Sequence, residues 1–400
     1  MLRDKTVVLG VTGSIAAYKA VDLASKLAQA GAAVEVIMTQ AATQFVTPLT
    51  FRSITRRSVI TDLFDVTSQF SVEHVALAEQ ADVVVVAPAT ANIIAKLATG
   101  IADDMLTCTV LATQAPVILA PAMNVNMFNN QVTQDNLSRL RQRGFIIVGP
   151  AYGRLASGIS GMGRLIEVEH TLGTISQVLG RDGDLAGKRL VVTAGGTREP
   201  VDPVRYIGNR SSGKMGYALA EAARDRGASV TLVSAATSVP NPAGVEVVPV
   251  ETAKEMRDAV LAASSQADVL IMAAAVADFA PARLSMSKIK RKDRPTTLEL
   301  APTPDILGEI KVKLLRVGFA AESENLIANA QDKLKRKGLD LIVANDITAP
   351  DSGFGFDTNQ VAIIDKQGNV EQLPLLLKTE VADRILDRVV ELLAKKVGSP

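Results

Sequence analysis

The chain has 400 residues, 48% of them apolar, with 43 Lys plus Arg against 42 Asp plus Glu and a formal net charge of +1. Nothing in that balance favours a nucleic-acid or membrane partner, and no apolar run approaches the length of a membrane span, so neither nucleic acid nor membrane is expected as a partner. The single cysteine, Cys108, excludes an intramolecular disulfide and fits a reducing compartment. The length predicts two domains, each able to bury its own core.

The N-terminal MLRDKTVVLGVTGS carries Lys5 before a short apolar run that enters a glycine turn at once. This pattern predicts a first β-strand rather than a secretory signal, and a cytoplasmic location. Further apolar runs, AAVEVIMT, ADVVVVAPA, APVILAPA and FIIVGP, alternate with helical patterns, as parallel α/β sheets require. The stretch AAYKAVDLASKLAQAG has Ala and Leu at helical spacing and Gly31 as its C-cap. In GVTGSIAAYK a strand feeds a glycine turn and a helix N-terminus. Gly13 lets a ligand approach the backbone and Ser14 adds a hydroxyl, so the turn reads either as a phosphate site or as a plain tight connection. Thr39, at the end of the next strand, and Thr90 with Asn92, opening a helix in APATANIIAKLATG, put three polar strand ends at one edge.

His74 in SVEHVALAEQ reads as a general base or as a packed helix-face histidine. Asn124, just past a strand ending in Pro121, reads as a carboxylate binder or as a helix cap. SGISGMGRL, containing Arg164, reads as a mobile glycine-rich lid or as a plain interdomain loop. The helical IEVEHTLGTISQVLG and the polar linker RDGDLAGKR follow, which places a boundary near Asp182 and domains at 1–181 and 182–400.

The second part restarts the scheme with RLVVTAGG and continues through ASVTLVSAA, VEVVPV, ADVLIMAAAVAD, RVGFAAE and LDLIVAND to the amphipathic helix TEVADRILDRVVELLAKK. The predicted fold is α/β: two tandem Rossmann-like domains with mainly parallel sheets. An insert, TREPVDPVRYIGNRSS, separates the first strand of the second domain from its helix, and it ends in GNRSSGKMG. That loop is no P-loop, because Lys214 is followed by Met215. Nor is it a dinucleotide fingerprint, because the nearest predicted strand ends about a dozen residues upstream. Asp278 in AAAVADF is expected at a strand end, where a carboxylate suits Mg²⁺ or a ribose. Lys288, Lys290, Arg291 and Lys292 in SKIKRKDR read as a solvated face or as a triphosphate clamp, and so do Lys333 and Lys337, four apart on one helix face.

These pieces, in this order and over essentially the whole chain, resemble the family of bifunctional bacterial coenzyme A biosynthesis proteins. That family joins a phosphopantothenoylcysteine decarboxylase to a phosphopantothenate–cysteine ligase. GVTGSIAAYK, His74, APATAN and PAMN are similar to the flavin-dependent cysteine decarboxylases. TAGGTREPVDPVRYIGNRSSGKMG, AAVAD, KIKRK, GFAAE and LDLIVAND are similar to the ligases. The resemblance implies an N-terminal flavoprotein fold holding FMN through Gly13, Ser14, Thr39, Ala89 and Thr90, with His74 as base or orienting group and Asn124 on the substrate carboxylate. It implies a C-terminal ligase fold that uses 4′-phosphopantothenate, L-cysteine, CTP and Mg²⁺. There Asn209 turns over an acyl-cytidylate and Lys288 contacts CTP and promotes formation of that intermediate, while Asp278, Pro304, Asp305, Ile306, Leu307, Phe319, Lys333 and Lys337 also hold CTP. The Mg²⁺ ligands are not implied. Assembly is implied as a homo-oligomer of trimeric flavin domains and dimeric ligase domains, a dodecamer.

One departure from the family pattern concerns the proton donor. Where many relatives carry a cysteine in an ACG loop, this chain has Ser157 in LASGISGMGRL, and a hydroxyl is a far weaker acid than a thiol. Cys108 lies in the helical DDMLTCTVLA and is expected in the core, and the decarboxylase is expected to remain active through another donor or water. Two alternatives are a ligase fused to an inactive flavin domain, which product analysis and FMN content discriminate, and a regulatory binding protein on the flavoprotein fold. His74, Asn124, Asn209 and Lys288 together argue against the latter, since a pure binding module has no need of all four.

Overall fold

The structure, a computed structural model, describes residues 2–64, 72–290, 297–322, 324–346, 353 and 355–397. It divides into two compact units, Met1–Gly180 and Arg181–Pro400.

The N-terminal unit runs β1 (Thr6–Val11), α1 (Ala17–Gln29), β2 (Ala33–Met38), α2 (Pro48–Thr55), β3 (Val59–Ile60), α3 (Glu73–Gln80), β4 (Val83–Ala89), α4 (Ala91–Thr99), α5 (Met105–Ala112), β5 (Val117–Pro121), α6 (Val125–Asn129), α7 (Gln131–Gln142), β6 (Ile146–Ile147), β7 (Ala151–Arg154), β8 (Ser160–Arg164) and α8 (Val168–Gly180). The first six strands form one parallel sheet in the order β3-β2-β1-β4-β5-β6, a doubly wound arrangement whose order reverses between β1 and β4. Its central strands are almost wholly apolar because both faces are covered. Val7, Leu9 and Val11 of β1 pack with Ala20, Leu23 and Leu27 of α1, while Val8 faces Ile93, Ile94 and Leu97 of α4. Each such fully buried aliphatic side chain contributes roughly 1.5–3 kcal/mol.

The glycine-rich segment expected as an irregular lid or loop is instead an antiparallel hairpin, β7–β8. Its alternating buried positions are Gly161 and Gly163, so the strand carries none of the apolar alternation by which strands are recognised.

The C-terminal unit runs β9 (Arg189–Ala194), β10 (Arg198–Pro200), β11 (Tyr206–Gly208), α9 (Lys214–Asp225), β12 (Ser229–Ser234), β13 (Glu246–Pro249), α10 (Ala253–Ser264), β14 (Val269–Met272), β15 (Phe279–Pro281), β16 (Leu300–Pro302), α11 (Ile306–Glu309), β17 (Leu315–Glu322), α12 (Leu326–Lys337), β18 (Leu341–Asp346), β19 (Thr358–Asn359), β20 (Val361–Asp365), β21 (Val370–Gln372), β22 (Leu376–Leu377) and α13 (Lys378–Val397). Its main sheet has the order β13-β12-β9-β14-β17-β18-β20-β21. The first six strands are parallel and repeat the doubly wound order, with the reversal between β9 and β14. The pair β20–β21 extends the edge in antiparallel fashion. Val192 and Leu232 pack on one face against Leu219 of α9 and Ile385 of α13, and Val191 and Leu270 pack on the other against Met256 and Val260 of α10.

Two expectations about this unit are corrected. The insert before α9 is not irregular: β10 and β11 pair as a short antiparallel ribbon, with the Arg198 guanidinium 4.7 Å over the Tyr206 ring. A strand therefore does lead directly into GNRSSGKMG. Asp278 is not at the end of the sheet strand either. That strand, β14, stops at Met272, and Asp278 lies just before β15 in the second ribbon, β15–β16.

Candidate active sites

In open α/β sheets ligands bind beyond the carboxyl ends of the strands, where the order reverses. In the N-terminal unit that point is tied by Thr12. Its Oγ1 donates to the Pro88 carbonyl (2.7 Å) and accepts from the Thr90 N–H (3.2 Å), joining the turn after β1 to the turn after β4. Thr90 caps α4, accepting from the Ile93 N–H. Thr39 accepts from the Ala42 N–H, and Ser14 from the Ala16 N–H. Gly13, Ser14, Thr39 and Thr90 line one cavity of about 580 Å³, together with Ile93, Met123 and Met127. Hydroxyls and helix N-termini together with thioether and aliphatic groups in one lining suit a ligand with a phosphate and a flat apolar ring. Ala89 does not line this cavity. It is fully buried in β4, where its carbonyl accepts the Ala122 N–H at 3.0 Å.

An adjoining cavity of about 370 Å³ shares Ser14, Ala122 and Met123 with the first. Asn124 and Ser157 meet in its wall: Asn124 Nδ2 donates to Ser157 Oγ at 3.2 Å. The same asparagine caps α6 through Oδ1, which accepts the Asn126 N–H at 2.9 Å, so the cap leaves its amide NH₂ available to the site. Arg164 also lines this cavity and pairs with Glu167. His74 lines neither cavity. It is half-buried in the first turn of α3, a helix that packs against α5. Cys108 is half-buried rather than in the core. Its Sγ donates to the Ala102 carbonyl, and burial, with Asp104 and Asp103 nearby, pushes the thiol pKa up, away from reactivity.

In the C-terminal unit the reversal point carries two confluent cavities. The first, about 650 Å³, is lined by Asp278, Pro304, Asp305, Ile306, Leu307, Phe319, Lys333 and Lys337. Asp305 caps α11 and pairs with Lys337 Nζ at 2.8 Å, and that ammonium holds its carboxyl below the ordinary range. Lys333 Nζ donates to the Phe319 carbonyl at 2.8 Å. Asp278 is positioned by its carbonyl, which accepts the Thr303 N–H at 3.0 Å.

The second cavity, about 400 Å³, is walled by Asn209–Gly216, the loop that matched no familiar phosphate motif. Gly216 lets α9 press on β9, since a Cβ there would lie 2.6 Å from Ala194 Cβ and 2.7 Å from the Thr193 carbonyl oxygen. Asn209 Nδ2 donates to the Val276 carbonyl at 3.0 Å. The two cavities share Ala274, Val276, Asp278, Phe319 and Lys333, so they form one cleft with Asn209 beside the junction.

Lys288 lines neither part of this cleft; its side chain is exposed. Its segment is fixed by a neighbour the motif reading passed over. Asp202, 3% exposed, accepts the Ile289 N–H (3.1 Å) and the Arg205 guanidinium, and Arg205 Nη2 donates to the Ile289 carbonyl (2.7 Å). The Arg205 guanidinium holds the Asp202 carboxyl far below the usual range. An Asp between two prolines, in EPVDPVRY, is a turn signal that would have found it. Lys290 is likewise exposed, whereas Arg291 and Lys292 lie outside the described residues. Among the described residues no three His, Cys, Asp or Glu side chains cluster as a metal site, so the residues present do not form a protein-held cage for Mg²⁺. No helix among them is long and apolar enough to cross a membrane.

Fold and clefts together define a protein with two doubly wound units, each with a ligand cleft at its own switch point. The model of the family described as "Flavoprotein" matches residues 1–180, and that described as "DNA/pantothenate metabolism flavoprotein C-terminal domain" matches residues 185–393. The chain is 48% identical to "Coenzyme A biosynthesis bifunctional protein CoaBC" of Bacillus subtilis, over 100% of this chain and 99% of that protein. It is 45% identical to the protein so named of Mycobacterium tuberculosis, over 98% and 97%. Among solved structures, the C-terminal domain of such a protein matches at 43% identity and a TM-score of 0.46, covering 53% of this chain and 99% of that one. A PPC decarboxylase mutant complexed with pantothenoylaminoethenethiol matches at 32% and 0.40, covering 43% and 97%. The chain belongs to the family of bifunctional coenzyme A biosynthesis proteins. It is a bifunctional enzyme of that pathway, with a ligase step and a decarboxylase step.

Proposed function

We propose that residues 182–400 join L-cysteine to 4′-phosphopantothenate at the expense of CTP, and that residues 1–181 decarboxylate the 4′-phosphopantothenoylcysteine so formed to 4′-phosphopantetheine with FMN. The observation that carries the ligase reading is the continuity of the C-terminal cleft. The candidate nucleotide residues Asp278, Phe319 and Lys333 line the same space as Asn209. A carboxylate is a poor acyl donor. Its oxygen attacks the CTP α-phosphorus and expels pyrophosphate, and the cysteine amine then attacks the acyl carbon and expels CMP. Held at the junction through Val276, Asn209 is placed to hydrogen-bond the acyl oxygen or the incoming amine. Lys288, as promoter of the first step, would have to reach the cleft from its present exposed position.

In the N-terminal unit the Ser14, Thr39 and Thr90 hydroxyls would hold the flavin phosphate, with Met123 and Met127 against the ring. Bound there, FMN supplies the two-electron oxidation of the thiol that loosens the carboxylate and then returns the electrons. The Asn124 amide would bind the substrate carboxylate, and Ser157, hydrogen-bonded to Asn124, would stand beside the carbon to which the proton is returned. His74 would act as base or orienting group only from outside the two linings. The oligomer implied by the resemblance, and cytoplasmic residence, belong to the same reading.

Product analysis by mass spectrometry tests the whole: the purified protein is incubated with 4′-phosphopantothenate, cysteine, CTP and Mg²⁺. Accumulation of 4′-phosphopantetheine supports both halves, arrest at 4′-phosphopantothenoylcysteine marks the flavin half as inactive, and no conversion overturns the reading. Ser157→Cys should raise the decarboxylation rate by at least about tenfold, because a thiol is the stronger acid at the point of protonation. An unchanged rate would show that the proton comes from elsewhere.

A further inference from the structure

From Ala273 to Asp278, between β14 and β15, the chain belongs to no named strand, yet every residue of this segment lines the cleft. Irregular backbone at a buried site has to find its hydrogen bonds outside a ladder. Here the turn after β9 supplies them. The Gly195 carbonyl accepts the Ala275 N–H at 2.9 Å. Thr193 and Thr197, both fully buried, accept the Ala274 N–H (3.0 Å) and the Ala277 N–H (2.9 Å) through Oγ1. From the other side Thr303 Oγ1 donates to the Ala277 carbonyl at 2.6 Å.

One of these contacts differs in kind from the rest. The N–H held by Thr197 belongs to the Val276–Ala277 peptide, and the carbonyl of that same peptide accepts Asn209 Nδ2 at 3.0 Å. The plane is thus gripped at its N–H end by Thr197 and carries the Asn209 amide at its carbonyl end. Hydrogen bonds joined through one peptide polarise and orient each other. One N–H of the amide is committed to this anchor, which leaves its second N–H and Oδ1 for the substrate. Thr197 is also packed against the strand that delivers Asn209, since a Cβ on Gly208 would lie 2.6 Å from the Thr197 carbonyl oxygen. Its own side chain is 0% exposed and lines neither cavity, so it cannot touch substrate.

We propose that Thr197 is a positioning residue for acyl transfer: by fixing the Val276–Ala277 peptide it sets the direction of the Asn209 amide. The proposal rests on the role given to Asn209 above and adds the group that aims it. With valine at 197 the Ala277 N–H loses its acceptor in a buried place, and the peptide has to turn to find another. Its carbonyl then turns with it, and the amide loses its aim.

Steady-state and double-mutant kinetics on the full chain test this. Thr197→Val should lower kcat for ligation about 10- to 100-fold, as small misplacements of a reacting group do, with the KM for CTP within about twofold. Pyrophosphate should appear ahead of CMP, since only the second half-reaction is slowed. Thr197→Ser keeps the acceptor and should stay within about threefold of the wild type. In an Asn209→Ala background, Thr197→Val should cost no more than about twofold further, because the amide it aims is gone. Where Thr197→Val does not fold, Thr197→Ala carries the same comparison, the hydroxyl being absent from both. If the loss is as large without the Asn209 amide as with it, Thr197 is a general support of the cleft and the proposal is overturned. A parallel rise in the KM for CTP, or a serine variant as slow as the valine one, overturns it as well. Failure of the underlying reading shows separately, as an Asn209→Ala variant that ligates at the wild-type rate.

Discussion

Asn209→Ala is expected to lower the overall ligation rate by about 10²–10³-fold, the usual effect of removing one donor that meets developing charge in a transition state. The asparagine reaches the cleft because the β10–β11 ribbon delivers it there, and its Nδ2 is held on the Val276 carbonyl beside the junction of the two cavities. Loss of that amide leaves the nucleotide side of the cleft unchanged, so the first half-reaction should survive better than the second. Rapid-quench analysis should show pyrophosphate released in a burst near one per active site, while CMP and 4′-phosphopantothenoylcysteine lag behind. If pyrophosphate and CMP fall together, Asn209 serves the activation step, and its assignment to acyl transfer is wrong. If neither changes, it is not part of the site.

Gly163→Ala should abolish most decarboxylation and leave ligation as it is. At this position φ is +139°, and a Cβ would lie 2.3 Å from the Met123 carbonyl oxygen and 3.5 Å from the Asn124 carbonyl carbon. The β8 strand and the Met123 segment are joined by the Met123 N–H donating to the Gly163 carbonyl at 2.9 Å, so neither backbone can move without the other. The methyl group has to part them, and with them Asn124 from Ser157. A displacement of about 1 Å at a reacting group costs on the order of 10²-fold in rate, and the forced backbone adds about 1–3 kcal/mol of destabilisation. Gly158→Ala is the control. Its φ of +83° brings a similar left-handed penalty, but nothing lies within 4 Å of the added carbon. Coupled product analysis should therefore show Gly163→Ala stalled at 4′-phosphopantothenoylcysteine and Gly158→Ala much less affected. Equal rates in the two variants would show that the hairpin's seat on Met123 does not govern the chemistry.

The sheet architecture was legible in the sequence, because a strand buried on both faces must be apolar at every position. VVLGV, VVVVAPA and LVVTA announce such strands wherever they occur, and helical spacing in AYKAVDLASKLAQ announces the cover. Polar groups at strand ends were legible for the same reason. Once the strands are known, Ser14, Thr39 and Thr90 fall at one edge of one sheet.

The short ribbons and the hairpin were not legible. Three-residue strands such as Arg198–Pro200 have too few positions to show a period, and β8 buries glycines where a period would need apolar side chains. Lys378 shows most clearly what only the tertiary structure decided. By sequence it is a lysine immediately before the amphipathic TEVADRILDRVVELLAKK, a position usually solvated. It is buried on the Gly353 and Phe356 carbonyls, which the sequence does not place, and it shares a cavity lining with Lys214, more than one hundred and fifty residues away in the chain. Lys288 runs in the opposite direction. Its basic run reads as a solvated face or as a clamp, and in the fold Asp202 and Arg205 hold the adjoining backbone at Ile289 while the Lys288 side chain is exposed. Local pattern fixes which residues are able to bind charge. Which of them share a cleft depends on backbone carbonyls and turn carboxylates, which are set by packing and carry no residue-type signature.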